Sequence, residues 1–180
     1  MTAIAGVVEK GKVYIGGDSA GVGGYSLSVR SDPKVFINGE FIFGYTSSFR
    51  MGQLLQYSFS PPKPFENQSK MEYMITSFVP AIKDVFKKNG FQSMENGVES
   101  GGTFLLGYRG ELFEIEDDYQ VARLNQPYYA CGCGMDLVLG SLHATNHFSN
   151  ITPEERIEMA LDAAAEFSAG VRGPHTILSI

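Results

Sequence analysis

Three pairs of short apolar runs, each joined by a tight polar turn, constrain the fold of this 180-residue chain more than any other feature. Residues Thr2 to Val8 are followed by the polar turn Glu9-Lys10-Gly11-Lys12 and then by Val13 to Asp18, the pattern of a β-hairpin. Lys34 opens a second pair, Val35-Phe36-Ile37 and Phe41-Ile42-Phe43-Gly44, around Asn38-Gly39, a strong two-residue turn signal. Thr103 to Tyr108 and Leu112 to Ile115, joined at Arg109-Gly110, make the third. Strands connected this closely pair antiparallel, because a parallel crossover needs a dozen or more residues.

Helical patterns fill the gaps. Residues 48–58 suit a short helix carrying Met51, Leu54, Leu55 and Tyr57, and the loop Ser60-Pro61-Pro62-Lys63-Pro64 ends it. A second helix, about Lys70 to Lys88, sets Met71, Met74, Ile75, Phe78, Ile82, Val85 and Phe86 at helical spacing, with a kink expected at Pro80. A third runs from Met135 to about Ala144. The fourth has the clearest start: Thr152 as N-cap, Pro153 at the first helical position and Glu155 closing a capping box. Gly170 ends it, and His175 to Ile180 reads as a closing strand. The order of hairpins, two helices, hairpin, two helices and strand gives an α+β fold, two antiparallel sheets between helical layers, in a single domain over 1–180. Gly21 to Gly24 reads as a flexible glycine-rich loop. No Gly-Lys-Ser/Thr follows it to open a helix, so it does not read as a phosphate cradle.

Composition narrows the function classes. A chain of this length can bury a core without staples. Its two cysteines, two positions apart, do not suit an ordinary structural disulfide and fit a reducing, cytoplasmic setting. Glu9 and Lys10 interrupt the first apolar stretch, which has no basic region before it, so no secretory signal is expected. No run of about 18 apolar residues offers a membrane span. With 14 basic and 20 acidic residues the net charge is −6, and no Lys/Arg cluster stands against it, so neither nucleic acid nor membrane is an expected partner.

The candidate chemistry starts at Thr2. If Met1 is removed, the chain begins with a residue that supplies both an attacking hydroxyl and, in its α-amine, the base that takes its proton. The amine's ordinary pKa of roughly 7.7–8.0 lies near working pH, where a general base is most effective. The first hairpin brings Asp18 to the same open end as Thr2. Other constellations compete. Cys131-x-Cys133 followed by His143-x3-His147 has a zinc-like inventory, but one residue between the cysteines is short of the usual spacing, and Gly132 and Gly134 read better as a tight turn. Asp117-Asp118 reads as a charged turn. Glu166 shares a polar helix face with Glu158 and Asp162.

The runs Thr2–Ser19 and Lys34–Ser48 resemble the start of a proteasome β-subunit, and more closely the bacterial HslV peptidase, among N-terminal-nucleophile hydrolases. The resemblance implies a four-layer αββα sandwich and threonine-type peptide-bond hydrolysis without cofactor or metal. It carries Thr2 to the nucleophile and Asp18 and Lys34 to the groups beside it. A nearby lysine ammonium would lower the amine's pKa by like-charge repulsion, and Asp18 would orient the lysine. Cys133 stands in place of a serine near the nucleophile, and a thiol is the weaker donor. Glu166 stands where an aspartate is usual, and Ala169 where a serine is. Ser47 replaces the glycine whose N–H forms the oxyanion hole, and Gly21 and Phe49 join it in the implied substrate-binding set. The resemblance further implies a homo-oligomeric ring, a peptide or unfolded-protein substrate and an ATP-dependent unfoldase partner. Drift at Ser47, Cys133, Glu166 and Ala169 leaves two alternatives: a ring-forming homologue with little or no activity, and a non-proteolytic amidase.

Overall fold

The computed structural model describes residues 1–95 and 97–180. Strand β1 (Ile4–Glu9) turns into β2 (Lys12–Gly17) through Lys10 and Gly11, whose φ values of 50° and 76° follow the type I′ pattern that matches strand twist. A ribbon, β3 (Ala20–Gly23) and β4 (Ser26–Val29), comes next, where the sequence suggests only a loose glycine loop. Ser26-Leu27-Ser28-Val29 does alternate, but four solvent-facing residues are too short a run for periodicity to mark as a strand. In β5 (Val35–Asn38) and β6 (Phe41–Tyr45), Asn38 pairs with Phe41, so the turn is Gly39-Glu40, one residue later than the Asn-Gly signal suggests. Asn38 acts through its side chain instead. Its amide donates to the carbonyls of Leu55 at 3.0 Å and Phe59 at 2.9 Å, which lie at the open end of helix α1 (Phe49–Tyr57).

The long apolar helix is divided into α2 (Lys70–Tyr73), a π-helical stretch Met74–Phe78, and α3 (Val79–Lys88). The irregularity expected at Pro80 takes this form: proline has no N–H for the carbonyl four residues back, and a π turn rearranges the bonding just before it. A small ribbon, β7 (Ser93–Glu95) and β8 (Val98–Ser100), precedes β9 (Phe104–Tyr108) and β10 (Glu111–Ile115), which meet at a second turn with two positive φ values, Arg109 and Gly110. The remaining elements are β11 (Val121–Arg123), β12 (Tyr128–Cys131), α4 (Met135–Thr145), α5 (Pro153–Phe167) and β13 (Thr176–Ser179). The capping box on α5 forms as the sequence predicts. The main sheets run β12-β1-β2-β13 and β11-β10-β9-β6-β5, every pairing antiparallel.

Three buried clusters show how these layers stack. Phe41, Phe43, Phe78, Tyr73 and Tyr108 belong to a core between the five-stranded sheet and α1–α3. Ala5, Val7, Leu142, Ile157 and Leu161 belong to another between the four-stranded sheet and α4–α5. Ile4, Ile15, Ile42, Leu105 and Leu112 fill the space between the sheets. The architecture is therefore the αββα sandwich. No helix among the described residues is long and apolar enough to cross a membrane.

A buried carboxyl from β10 interrupts the inter-sheet core. Glu114 shares the face of Leu112 on β10, 7% exposed and beside Tyr129, and burial reinforced by the Glu116 charge pushes its pKa up from 4.5 to about 7. The folded state thus holds this proton more tightly than the unfolded chain. Its contribution to stability is full below the unfolded pKa and is lost as pH rises through the folded one. We expect the wild type to lose about 2–3 kcal/mol of unfolding free energy from this group as pH climbs from 4.5 through about 7. Denaturant melts of Glu114→Gln should show that slope removed. An unchanged slope would mean the carboxyl is ionised in the fold at no cost.

Candidate functional site

The two hairpins do the positioning. Thr2 precedes β1 and is 4% exposed, Asp18 follows β2, and Lys34 precedes β5, so all three gather at one end of the inter-sheet space. Asp18 is the hub. Its Oδ1 accepts from the Ala3 N–H at 3.0 Å and the Lys34 ammonium at 2.8 Å, and its Oδ2 from the N–H groups of Ala20 at 2.9 Å and Arg172 at 3.2 Å. The carboxylate is thereby tied to the residue after Thr2, to the lysine and to the chain leading into β13. The Asp18 and Lys34 side chains are 0% and 1% exposed. Burial lowers the Lys34 pKa from its ordinary value, while the Asp18 charge acts against the fall.

Around Thr2 the packing is close. Its carbonyl accepts from the Gly134 N–H at 3.2 Å, and its hydroxyl donates to the Met1 carbonyl. Gly132, at φ 95°, passes so near the Thr2 carbonyl oxygen that a Cβ there would collide with it, so the Cys-Gly-Cys-Gly turn requires its first glycine twice over. That turn delivers Cys133, whose exposed sulfur lies 3.2 Å from the Thr2 nitrogen and 3.9 Å from Ser168 Oγ. Glu166 is on an exposed face of α5 and joins none of these contacts.

A cleft of about 70 Å³ opens beside Thr2, lined by Met1, Val22, Lys34, Tyr45, Thr46, Ser47, Ser48 and Phe49. Ser47 holds φ 63°, the left-handed region where glycine is at ease and serine is not. Two bonds keep it there: the Ser48 N–H donates to the Thr46 carbonyl at 2.7 Å, and Ser47 Oγ accepts from the Thr103 N–H at 3.1 Å. No hydrogen bond from the Ser47 N–H is found among the described residues. The Phe49 ring carries the Arg30 guanidinium at 3.8 Å and the Lys34 ammonium at 5.7 Å from its centroid. Gly21 sits in the β3–β4 ribbon with its carbonyl bonded by the Ser28 hydroxyl, and its neighbour Val22 is the ribbon residue that reaches the cleft.

No family model and no curated protein matches this sequence. Solved structures do. BPH of Thiobacillus denitrificans superposes with a TM-score of 0.83 at 20% identity, over 99% of this chain and 97% of that one. The same protein in complex with epoxomicin gives 0.83 at 19% identity, over 99% and 98%. HslV of Trypanosoma brucei gives 0.70 at 16% identity, again over 99% and 98%. The chain has the HslV fold.

Within the HslV fold, the structure brings Thr2, Asp18, Lys34, Cys133, Ser47 and Phe49 together and leaves Glu166 outside. The zinc-like quartet is not assembled. Cys131 is buried on β12, Cys133 lies beside Thr2, and His143 Nδ1 is 2.8 Å from the Tyr128 hydroxyl. Asp117 and Asp118 form the expected turn, Asp118 Oδ1 accepting from the Gln120 N–H at 2.9 Å. Sequence reasoning missed Ser168, Thr46 and the backbone of Arg172. Ser168 could have been found as the first hydroxyl beyond the α5 apolar stripe; Arg172 acts through an N–H, which residue identity does not reveal.

Proposed function

We propose that this protein is a threonine-type peptidase whose nucleophile is Thr2 once Met1 is removed. The observation that carries the reading is the buried Asp18–Lys34 pair, whose carboxylate accepts from the N–H of Ala3, the residue next to Thr2. With Met1 gone, the freed amine takes the place of the Thr2 amide nitrogen and acts as base toward Oγ1. The buried lysine beside it keeps that amine unprotonated by like-charge repulsion. Oγ1 attacks a peptide carbonyl, the Ser47 N–H receives the oxyanion, and water releases the acyl-enzyme. Peptides or unfolded proteins are the substrate class. By likeness to HslV the protein works as a homo-oligomeric ring in the cytoplasm, fed by an ATP-dependent unfoldase.

One observation favours a weaker or inactive relative: Glu166, standing where the family's acidic residue is expected, faces solvent. In our reading Ser168 and Cys133 take over the contacts on that side of the amine. Because an S–H is a poor donor, Cys133→Ser is expected to raise kcat/KM about fivefold, the worth of roughly one hydrogen bond. Turnover of a fluorogenic peptide measures it, and a fall would show that the thiol itself is required. The reading as a whole is tested by treating the Met1-free protein with epoxomicin, the compound bound to BPH, and mapping the adduct by peptide mass. Attachment at Thr2 supports it. Attachment at Cys133, or none, contradicts it.

A further inference from the structure

Away from the cleft, α5 and the approach to β13 bring together three side chains that the proposed reaction does not use. Glu158 and Asp162 stand one helical turn apart on α5, and His175 directly precedes β13. Their ligand atoms all lie within 4.8 Å of one another. His175 Nδ1 is 3.1 Å from Glu158 Oε1 and 3.6 Å from Asp162 Oδ1. A tetrahedral zinc with bonds of roughly 2.0–2.2 Å sets its ligand atoms about 3.3–3.6 Å apart, so both distances are near the edges of such a tetrahedron.

A second observation concerns the imidazole. The His175 side chain is 3% exposed, yet its Nε2 has no partner, so the two carboxylates are the polar groups the ring meets among the described residues. A buried ring at the entry to β13 whose Nδ1 meets an i, i+4 carboxylate pair on α5 is the arrangement of a three-ligand site. The carboxylates are 49% and 68% exposed, which leaves room for entry and for water at a fourth position. Imidazole with two carboxylates suits zinc and its neighbours rather than calcium or magnesium, which take oxygen ligands.

We propose that Glu158, Asp162 and His175 bind one divalent ion of the zinc class. The ion clamps both ends of the 163–174 connection. That segment carries Ser168, the Arg172 N–H on Asp18, and the Pro174 carbonyl that accepts from the Ser19 hydroxyl. The site stands whether or not Thr2 is active.

The test uses the full chain carrying Cys133→Ser, to remove a competing thiol, stripped with a chelator and titrated with Zn²⁺ by calorimetry. We expect one ion per chain and a thermal midpoint that rises with Zn²⁺ and falls back when chelator is added. Since losing only an outer-sphere partner costs roughly 10–100-fold, Glu158→Gln and Asp162→Asn should each weaken binding by at least about tenfold. Both residues are exposed, so these variants keep their fold and are preferred to a change at the buried His175. Absence of binding up to millimolar Zn²⁺, or equal binding by the Cys133→Ser chain with and without either further change, overturns the proposal.

Discussion

Thr2→Ala is expected to remove peptidase activity while leaving the protein folded. Deleting a nucleophile that works as a unit with its base costs about 10⁴–10⁶ in kcat, because no neighbouring group can form the acyl bond in its place. In this site the nearest other nucleophile is Cys133, 3.2 Å from the Thr2 nitrogen, and adding Cys133→Ser to Thr2→Ala removes it from the comparison. The fold does not depend on the Thr2 hydroxyl, whose one hydrogen bond goes to the Met1 carbonyl. The change in unfolding free energy should therefore stay within about 1 kcal/mol. Thr2→Ser keeps the oxygen and should keep part of the rate. Single-turnover assays with a fluorogenic peptide, alongside denaturant melts, separate the two effects. Activity surviving in Thr2→Ala would place the chemistry elsewhere.

The second large effect is asymmetric. Asp18→Asn leaves the Lys34 ammonium, 1% exposed, with no opposing charge, and stranding a buried charge costs about 3–5 kcal/mol. Lys34→Met is expected to cost less. Asp18 would still accept from the N–H groups of Ala3, Ala20 and Arg172, which hold a carboxylate without a cation. Joining the two changes removes the stranded charge and should recover much of the stability lost in Asp18→Asn. Activity should not follow. All three variants lose the charge pair beside the Thr2 amine and are expected to fall by about 10²–10⁴ in turnover. Urea unfolding and peptide hydrolysis on the same preparations measure both. Equal destabilisation by the two single changes would contradict the hub role of Asp18, and full activity in Lys34→Met would remove the lysine from the chemistry.

These residues were legible in the sequence because their placement is local. A two-residue turn at Lys10-Gly11 fixes the β1–β2 register, and once that register is fixed Asp18 must lie beside Ala3. The capping box of α5 is equally local, a matter of four consecutive residues. What remained hidden depends on distant contacts. Tyr128 to Cys131 is too short to announce a strand, and it exists because β1 offers it an open edge. Glu166 looked like a site residue by position, but the end of α5 turns it to solvent and sets the following Ser168 toward Cys133. The zinc-like spacing gathers no cluster, because Cys131 is taken into the inter-sheet core while Cys133, two residues on, lies outside it. The cluster brings His175 to two carboxylates 13 and 17 residues earlier through a loop whose path no periodicity encodes.

The proposed peptidase chemistry rests on an amine that exists only after Met1 is removed. The intact mass of the protein purified from its natural host measures that directly. The expected result is a chain lighter by one methionine residue, beginning at Thr2 with a free amine. Quantitative retention of Met1 would contradict it, because an amide nitrogen cannot serve as the base.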